Sequence, residues 1–109
     1  AERTLSALDK LEGQYPGLDQ MASMLHLSTR TYRRRLQDES TSFQALLDSV
    51  RSKHATQLLR HPEMSVDRVA QRLGFSDVSN FRRAFIQWTG KSPSQWRKNQ
   101  RVMAKPKDY

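Results

Sequence analysis

One pattern of apolar and polar residues occurs twice in this chain, and it constrains the fold more than any other feature. Residues 18–28, LDQMASMLHLS, align with residues 66–76, VDRVAQRLGFS, at an offset of 48. Apolar residues match apolar residues, and Ala22 matches Ala70. One extra residue in the second copy then changes the offset to 49, and the match continues. The duplication predicts one supersecondary unit present twice.

Each copy has the features of a helix-turn-helix. Such a unit packs two short helices at a steep angle, which requires a small residue at the crossing and a residue that tolerates positive φ in the turn. Ala22 and Ala70 suit the crossing, and Gly74 suits the turn. His26 occupies the matching turn position, and histidine is among the non-glycine types enriched at positive φ. The sequence therefore predicts two helix-turn-helix units.

The rest of the pattern is also helical. Strand-like alternation is absent and β-branched residues do not cluster, so we predict an all-α fold of about seven helices. We expect a first helix-turn-helix subdomain at 1–41, a linker helix at 42–61, a second subdomain at 62–99 and a basic tail at 100–109.

Charge and size predict a binding module with a polyanionic partner. The chain has 109 residues, a formal net charge of +8 and a pI near 10.5. Residues 28–35 carry a net charge of +4 and residues 92–109 another +4. Nucleic acid, either DNA or RNA, and an anionic membrane surface would each satisfy this charge. RNA and an anionic membrane would accept the charge, but only double-stranded DNA also explains two helix-turn-helix copies with matched exposed faces.

Other function classes lack the residues they need. There is no cysteine, which excludes disulfides, thiolate metal sites and cysteine nucleophiles. We find no set of nucleophile, base and orienting residue, no glycine-rich phosphate loop and no metal-ligand spacing. We therefore expect no catalysis, no metal and no cofactor. No apolar run is long enough to span a membrane, and no signal peptide is recognisable.

The second helix of the first copy has two distinct faces. With Arg30 at zero and about 100° per residue, Arg33 lies at about 300° and Arg34 at about 40°. Tyr32 and Leu36 lie opposite, at about 200° and about 240°. Arginine can donate two hydrogen bonds to guanine or bind a phosphate bidentately. The arginine face is therefore a candidate for reading bases in a DNA major groove.

The second copy repeats this arrangement. Ser79, Arg82 and Arg83 take the same angles as the three arginines of the first copy. Val78, at about 260°, lies between the faces and suits either a thymine methyl contact or a buried position. In the first copy Thr29 and Arg35 flank the arginine face, and we expect Arg35 to contact DNA backbone or solvent more than bases.

Three motifs give the chain a specific resemblance. VDRVAQRLGFSD at 66–77, SNFRRAF at 79–85 and GKSPSQWR at 90–97 resemble the DNA-binding domain of the AraC/XylS family of bacterial transcription regulators. The linker also carries the family pattern of an arginine, an alanine and a leucine pair, as Arg51, Ala55 and Leu58-Leu59. Ser40 departs from the family, which usually has glycine at that helix end.

The resemblance implies a monomeric unit that reads an asymmetric site on one face of double-stranded DNA. It also implies activation of transcription through RNA polymerase in the bacterial cytoplasm, in association with the nucleoid. The family's N-terminal effector or dimerisation domain is expected to be absent from this chain. A linker helix of about 18 residues would be about 27 Å long, comparable with the roughly 34 Å between major-groove segments on one DNA face.

Carried over by position, the resemblance assigns the base-reading residues, whereas the phosphate contacts are predicted from helix ends and charge. The expected base contacts are Arg30, Arg33, Arg34, Val78, Ser79, Arg82 and Arg83. The expected phosphate contacts are Ser28, Thr29, Arg35, Ser76, Lys91, Ser92 and Arg97. For the last three, Ser92-Pro93 opens a final helix whose free N–H groups suit a phosphate. Simple capping of that helix is an equal alternative.

Overall fold

The computed structural model describes the backbone of residues 1–104 and the side chains of residues 1–100. Residues 105–109 lie outside the described part, so the predicted basic tail at 100–109 is described only in part. Within the described residues the chain forms seven α-helices and no strand, which confirms the all-α prediction. The helices are α1 (Glu2–Lys10), α2 (Leu18–Met24), α3 (Thr29–Asp38), α4 (Phe43–Leu59), α5 (Val66–Arg72), α6 (Val78–Thr89) and α7 (Pro93–Ala104).

The chain divides into two compact units, and the division falls inside α4. Unit 1 covers Ala1–Arg51 and unit 2 begins at Ser52. Each unit has its own apolar core, to which α4 contributes different residues. The core of unit 1 consists of Leu8, Met21, Ala22, Tyr32, Leu36, Leu46 and Val50. The core of unit 2 consists of Ala55, Leu58, Leu59, Val69, Ala70, Leu73, Phe81 and Phe85.

Aromatic side chains close the core of unit 2. Phe81 and Phe85 are fully buried, with ring centroids 5.7 Å apart. The rings of Trp88 and Trp96 each lie 6.3 Å from Phe85 in an edge arrangement. Edge contacts of this kind are favourable for aromatic pairs. These aromatic residues therefore serve the core of α6 and α7 and are not platforms for stacking bases.

The two turns have matching geometry, as the repeat predicts. His26 has φ of 60° and Gly74 has φ of 85°, both left-handed. In each unit the next residue, Leu27 or Phe75, donates its N–H to the carbonyl of the crossing alanine, at 2.9 and 3.0 Å. Both alanines are buried. The small alanine side chain lets the second helix of each unit pack closely against the first, and the turn sets the direction of the second helix.

The helices α3 and α6, each the second helix of its helix-turn-helix, are capped by different residues. The Ser28 hydroxyl accepts a hydrogen bond from the N–H of Thr31 at 3.1 Å, which caps α3. The Asp77 carboxylate accepts one from the N–H of Asn80 at 3.0 Å, which caps α6. The alignment paired Ser28 with Ser76, whereas the structural counterpart is Asp77. Ser76 is the extra residue of the second copy, and it changes the offset from 48 to 49.

Candidate nucleic-acid interface

The orientation of α3 is set by the side chains that it buries. Tyr32 and Leu36 are 2% and 3% exposed. The Tyr32 hydroxyl shares a buried 2.7 Å hydrogen bond with the Thr4 hydroxyl of α1, and the Tyr32 ring meets the Phe43 ring edge-on at 6.3 Å. Burial also raises the pKa of the Tyr32 hydroxyl. One face of α3 is thereby held inward and the opposite face is left to solvent.

The outward face of α3 carries the three arginines predicted to read bases. Arg30, Arg33 and Arg34 are all exposed. Together with Thr29 and Gln37 they line one shallow surface depression. Within residues 1–100 none of the three guanidinium groups forms an ion pair with a carboxylate. Because they are concentrated and uncompensated, their field is available to an external anion.

Two residues at the margin of this face are placed differently. The Thr29 hydroxyl donates a hydrogen bond to the Asp19 carboxylate at 2.9 Å, so its proton is already used within unit 1. Arg35 is exposed but lies outside the face of α3 that carries Arg30, Arg33 and Arg34. It lines a separate depression together with Glu39 and the first residues of the chain. Both positions agree with a flanking role.

The face of α6 repeats that of α3 with less positive charge. Phe81 and Phe85 hold the helix inward, while Ser79, Arg82 and Arg83 are exposed. The Arg83 guanidinium donates a hydrogen bond to the Asn80 side-chain oxygen. This bond restricts the rotamers of Arg83 and leaves its other N–H donors available.

Val78, the remaining predicted base contact, packs against the core of unit 2 and is partly buried. Of the two alternatives that the sequence left for Val78, the structure supports packing.

Gln37 and Ile86 were missed by the sequence analysis. Both are exposed, and Ile86 is 47% exposed. Gln37 of α3 and Ile86 of α6 are related by the same offset of 49 as the other equivalent positions. On the helical wheel both fall at about 340°, between the positions of Arg30 and Arg33 or of Ser79 and Arg82. Their wheel angle, which the sequence alone provides, is the signal that places them on this face.

The start of α7 is a well-formed helix N-terminus. The Ser92 hydroxyl accepts a hydrogen bond from the N–H of Gln95 at 3.1 Å, and Pro93 is buried at the first helical position. Lys91 is exposed beside it. The Thr89 hydroxyl accepts a hydrogen bond from the Lys91 N–H at 3.2 Å, and its single hydrogen can be donated to the carbonyl of Phe85 at 2.9 Å or of Lys91 at 3.1 Å.

Arg97, predicted to contact phosphate, is bonded within unit 2. Its Nε donates to the Leu59 carbonyl at 3.0 Å, and its Nη2 donates to the carbonyls of His61 and Met64 at 3.3 and 2.6 Å. These carbonyls end α4 and form the loop before α5. The side chain therefore satisfies backbone acceptors that a helix end leaves unpaired. This arrangement supports a structural role for Arg97.

The described residues show neither a metal site nor a membrane-spanning helix. Among residues whose side chains are described, no group of three or more histidine, cysteine, aspartate or glutamate side chains is arranged to hold a metal ion. No helix in the described part is both long and apolar enough to cross a membrane.

A family model described as "Helix-turn-helix domain" matches residues 21–99. Over 85 residues the chain is 47% identical to the ornithine utilization regulator of Pseudomonas aeruginosa, covering 78% of this chain and 25% of that protein. The chain thus spans about a quarter of the length of this relative.

Solved structures of transcription regulators are also similar to this chain. The transcriptional regulator CdpR from Pseudomonas aeruginosa matches with a TM-score of 0.85 and 41% identity, over 89% of this chain and 31% of that chain. The DNA-binding domain of AdpA, a global transcriptional factor solved in complex with a target DNA, matches with a TM-score of 0.76 and 28% identity. That match covers 96% of this chain and 91% of the AdpA chain.

Proposed function

Because the chain belongs to the AraC-type helix-turn-helix family of transcription regulators, we propose that it binds double-stranded DNA in a sequence-specific way by inserting α3 and α6 into adjacent major-groove segments. The observation that carries this proposal is the repeated outward face. Two helices, each held by a buried aromatic residue, present exposed polar and arginine side chains at the same angles. A surface used only for solubility has no reason to repeat in this way.

The outward faces of α3 and α6 offer different side chains for contact with bases. Arginine forks on α3 suit guanine edges, and α6 offers a hydroxyl and two further arginines. The residues proposed to contact bases are Arg30, Arg33, Arg34, Ser79, Arg82 and Arg83. Those proposed to contact phosphates are Ser28, Arg35, Ser76, Lys91 and Ser92. Thr29, Val78 and Arg97 are omitted because their hydrogen bonds or packing support structural roles.

The direct test is a titration of duplex DNA with increasing salt. A binding site is first selected from a random oligonucleotide pool, and its affinity is compared with that of a scrambled duplex. We expect the selected site to bind at least about a thousandfold more tightly at physiological salt. Equal affinity for both duplexes would contradict sequence-specific binding and would favour a general polyanion binder.

Single substitutions then separate base contacts from charge. Arg33→Ala or Arg34→Ala is expected to cost about 1–3 kcal/mol and to relax preference at one position of the site. Lys10→Ala is the matched control, since Lys10 is exposed on α1 and the substitution removes the same charge away from α3. A loss that is uniform across all sequences would assign the arginine to phosphate.

In the cell we propose that the domain acts as a monomeric unit and activates transcription together with RNA polymerase in the bacterial cytoplasm. This part rests on the family resemblance. A promoter reporter with the selected site upstream is expected to gain expression when the regulator is produced. Falling expression would indicate repression instead. Sedimentation that shows a stable dimer of the isolated domain at all concentrations would contradict the monomeric unit.

A further inference from the structure

We propose that Ile86 is a specificity-determining residue, and that it reads a thymine by contact with the 5-methyl group. This inference rests on the proposed function, because it places α6 in a major groove. Ile86 is 47% exposed, although it sits on a helix that buries Phe81 and Phe85 and partly buries Val78 and Trp88. Within the described residues, Met24 is the other large hydrophobic side chain exposed to this extent, and it lies on α2 of unit 1.

The position of Ile86 on α6 separates it from an incidental surface residue. It lies on the stripe that carries Ser79 and Arg82, at about 340° when Ser79 is at zero. Single exposed apolar residues are common and need no explanation in general. Here, however, the side chain stands on the face that would meet DNA, and its equivalent in α3 is the polar Gln37. The fold therefore does not require an apolar residue at this point of the repeat.

The chemistry of the groove selects thymine. In the major groove the thymine 5-methyl group is the apolar feature of a base edge, and an apolar side chain is its natural contact. An isoleucine cannot donate or accept a hydrogen bond, so opposite guanine or adenine N7 it would cover a polar atom without replacing its water. The side chain thus favours thymine and penalises the other bases at the same position.

The axial spacing predicts where that thymine lies. Ile86 follows Ser79 by seven residues, which is about 10.5 Å along the helix. Base pairs in B-DNA are about 3.4 Å apart along each strand. If α6 lies along the groove, the thymine read by Ile86 is about three base pairs from the base pair read by Ser79. A protein partner is a poorer occupant for this side chain, because Ser79, Arg82, Arg83 and Gln87 around it are polar or charged.

The test replaces thymine by uracil, which removes only the methyl group. Each thymine of the selected site is replaced in turn, and the affinity of the unmodified chain is measured by fluorescence anisotropy. One replacement is expected to lower the affinity about fourfold, as the loss of one buried methyl group predicts. That position should lie about three base pairs from the position at which Ser79→Ala relaxes preference.

Substitutions assign the effect to Ile86. Ile86→Ala is expected to bind the thymine and uracil duplexes equally well, whereas Ile86→Val should keep part of the difference. Gln37→Ala is the matched control and should leave the uracil effect at this position unchanged. Circular dichroism of each variant checks that the helices persist, as expected for an exposed site.

Each other outcome has one meaning. If no thymine is sensitive, or if Ile86→Ala keeps the full uracil effect, the proposal for Ile86 is overturned while specific binding stands. If Ile86→Ala weakens all sequences equally, Ile86 is a general contact and the proposal is again overturned. If the unmodified chain does not distinguish the selected site from the scrambled duplex, the proposed function itself fails.

Discussion

Among residues 1–104, two non-glycine residues adopt left-handed backbone conformations, and they lie in the short connections before and after α3. His26 and Ser40 each have φ of 60°. The left-handed region costs an L-residue about 1 kcal/mol or more because Cβ approaches the following carbonyl oxygen. At Ser40 two hydrogen bonds at the end of α3 compensate the strain. The N–H of Ser40 donates to the Gln37 carbonyl and the N–H of Thr41 donates to the Leu36 carbonyl, both at 2.9 Å.

Ser40→Gly is expected to stabilise the chain by about 0.5–1 kcal/mol, because glycine adopts positive φ without strain. The free energy of unfolding is measured by urea denaturation. Gly90→Ala is the matched control: Gly90 has φ of 82°, and an added Cβ would meet nothing within 4 Å. That substitution should destabilise by about 1 kcal/mol through backbone strain alone. Destabilisation by Ser40→Gly would show that the serine side chain contributes more than the strain costs.

At the scale of elements, α3 and α6 differ in the charge of the residue that caps their N-termini. Asp77 caps α6 with a carboxylate, and Ser28 caps α3 with a neutral hydroxyl. A negative charge stabilises a helix N-terminus by interaction with the helix dipole. The same charge repels a phosphate that approaches this end. The carboxylate therefore stabilises the start of α6 and, under the proposed function, makes this helix end less attractive to DNA phosphates.

Asp77→Asn keeps a capping oxygen and removes the negative charge. We expect affinity for any duplex to rise about two- to threefold at low salt, with an unfolding free energy lower by about 0.5 kcal/mol. The gain should shrink as salt rises, because the interaction is screened. Glu63→Gln, at another exposed carboxylate of unit 2, is the control. Unchanged affinity at low salt would indicate that this helix end stays away from the phosphates.

Arg97 joins two elements of unit 2, since α7 supplies the side chain and the end of α4 and the following loop supply the acceptors. Arg97→Ala is expected to lower the free energy of unfolding by about 1.5–3 kcal/mol, because hydrogen bonds from a charged group to carbonyls that are in part buried are lost. Lys98→Ala, at the exposed neighbouring residue, should change it by less than about 0.5 kcal/mol.

Affinity for DNA distinguishes this structural role from phosphate contact. At a temperature where the Arg97→Ala variant is folded, its affinity should stay within about twofold of the unmodified chain. An unchanged stability together with a salt dependence reduced by about one phosphate contact would instead support the original prediction for Arg97.

At the scale of the whole molecule, two small cores share one continuous helix. Leu46 and Val50 of α4 belong to the core of unit 1, and Leu58 and Leu59 to that of unit 2. A core built from about 50 residues is marginally stable on its own. Because the two cores have no buried residue in common, a core substitution should act mainly on the unit that contains it.

Phe81→Ala is expected to destabilise unit 2 by about 3–5 kcal/mol, since it removes a fully buried aromatic side chain. Hydrogen exchange should then lose protection in α5 and α6 while α1 to α3 keep most of theirs. Leu8→Ala, in the core of unit 1, should give the reverse pattern. Equal loss of protection in all helices would mean that the two cores unfold as one cooperative unit.

Much of the fold and of the candidate site was predictable, because those features depend on local periodicity. The spacing of Tyr32 and Leu36 sets which side of α3 is buried, and this places Arg30, Arg33 and Arg34 outside whatever the rest of the chain does. The same reasoning applies to the second copy, which repeats the pattern. The family match supports the helix-turn-helix assignment independently.

Polar partners were not predictable, since they depend on residues far apart in the chain. Arg97 binds carbonyls 33 to 38 positions earlier in the chain, and Thr29 donates to a carboxylate on a different helix. On the helical wheel Val78 lies near the boundary between the buried and the exposed face of α6. Its contact with the core becomes visible only in the packing of unit 2. Periodicity assigns each side chain a direction from its own helix, but the tertiary structure decides what it meets there, because hydrogen bonds require contact in space.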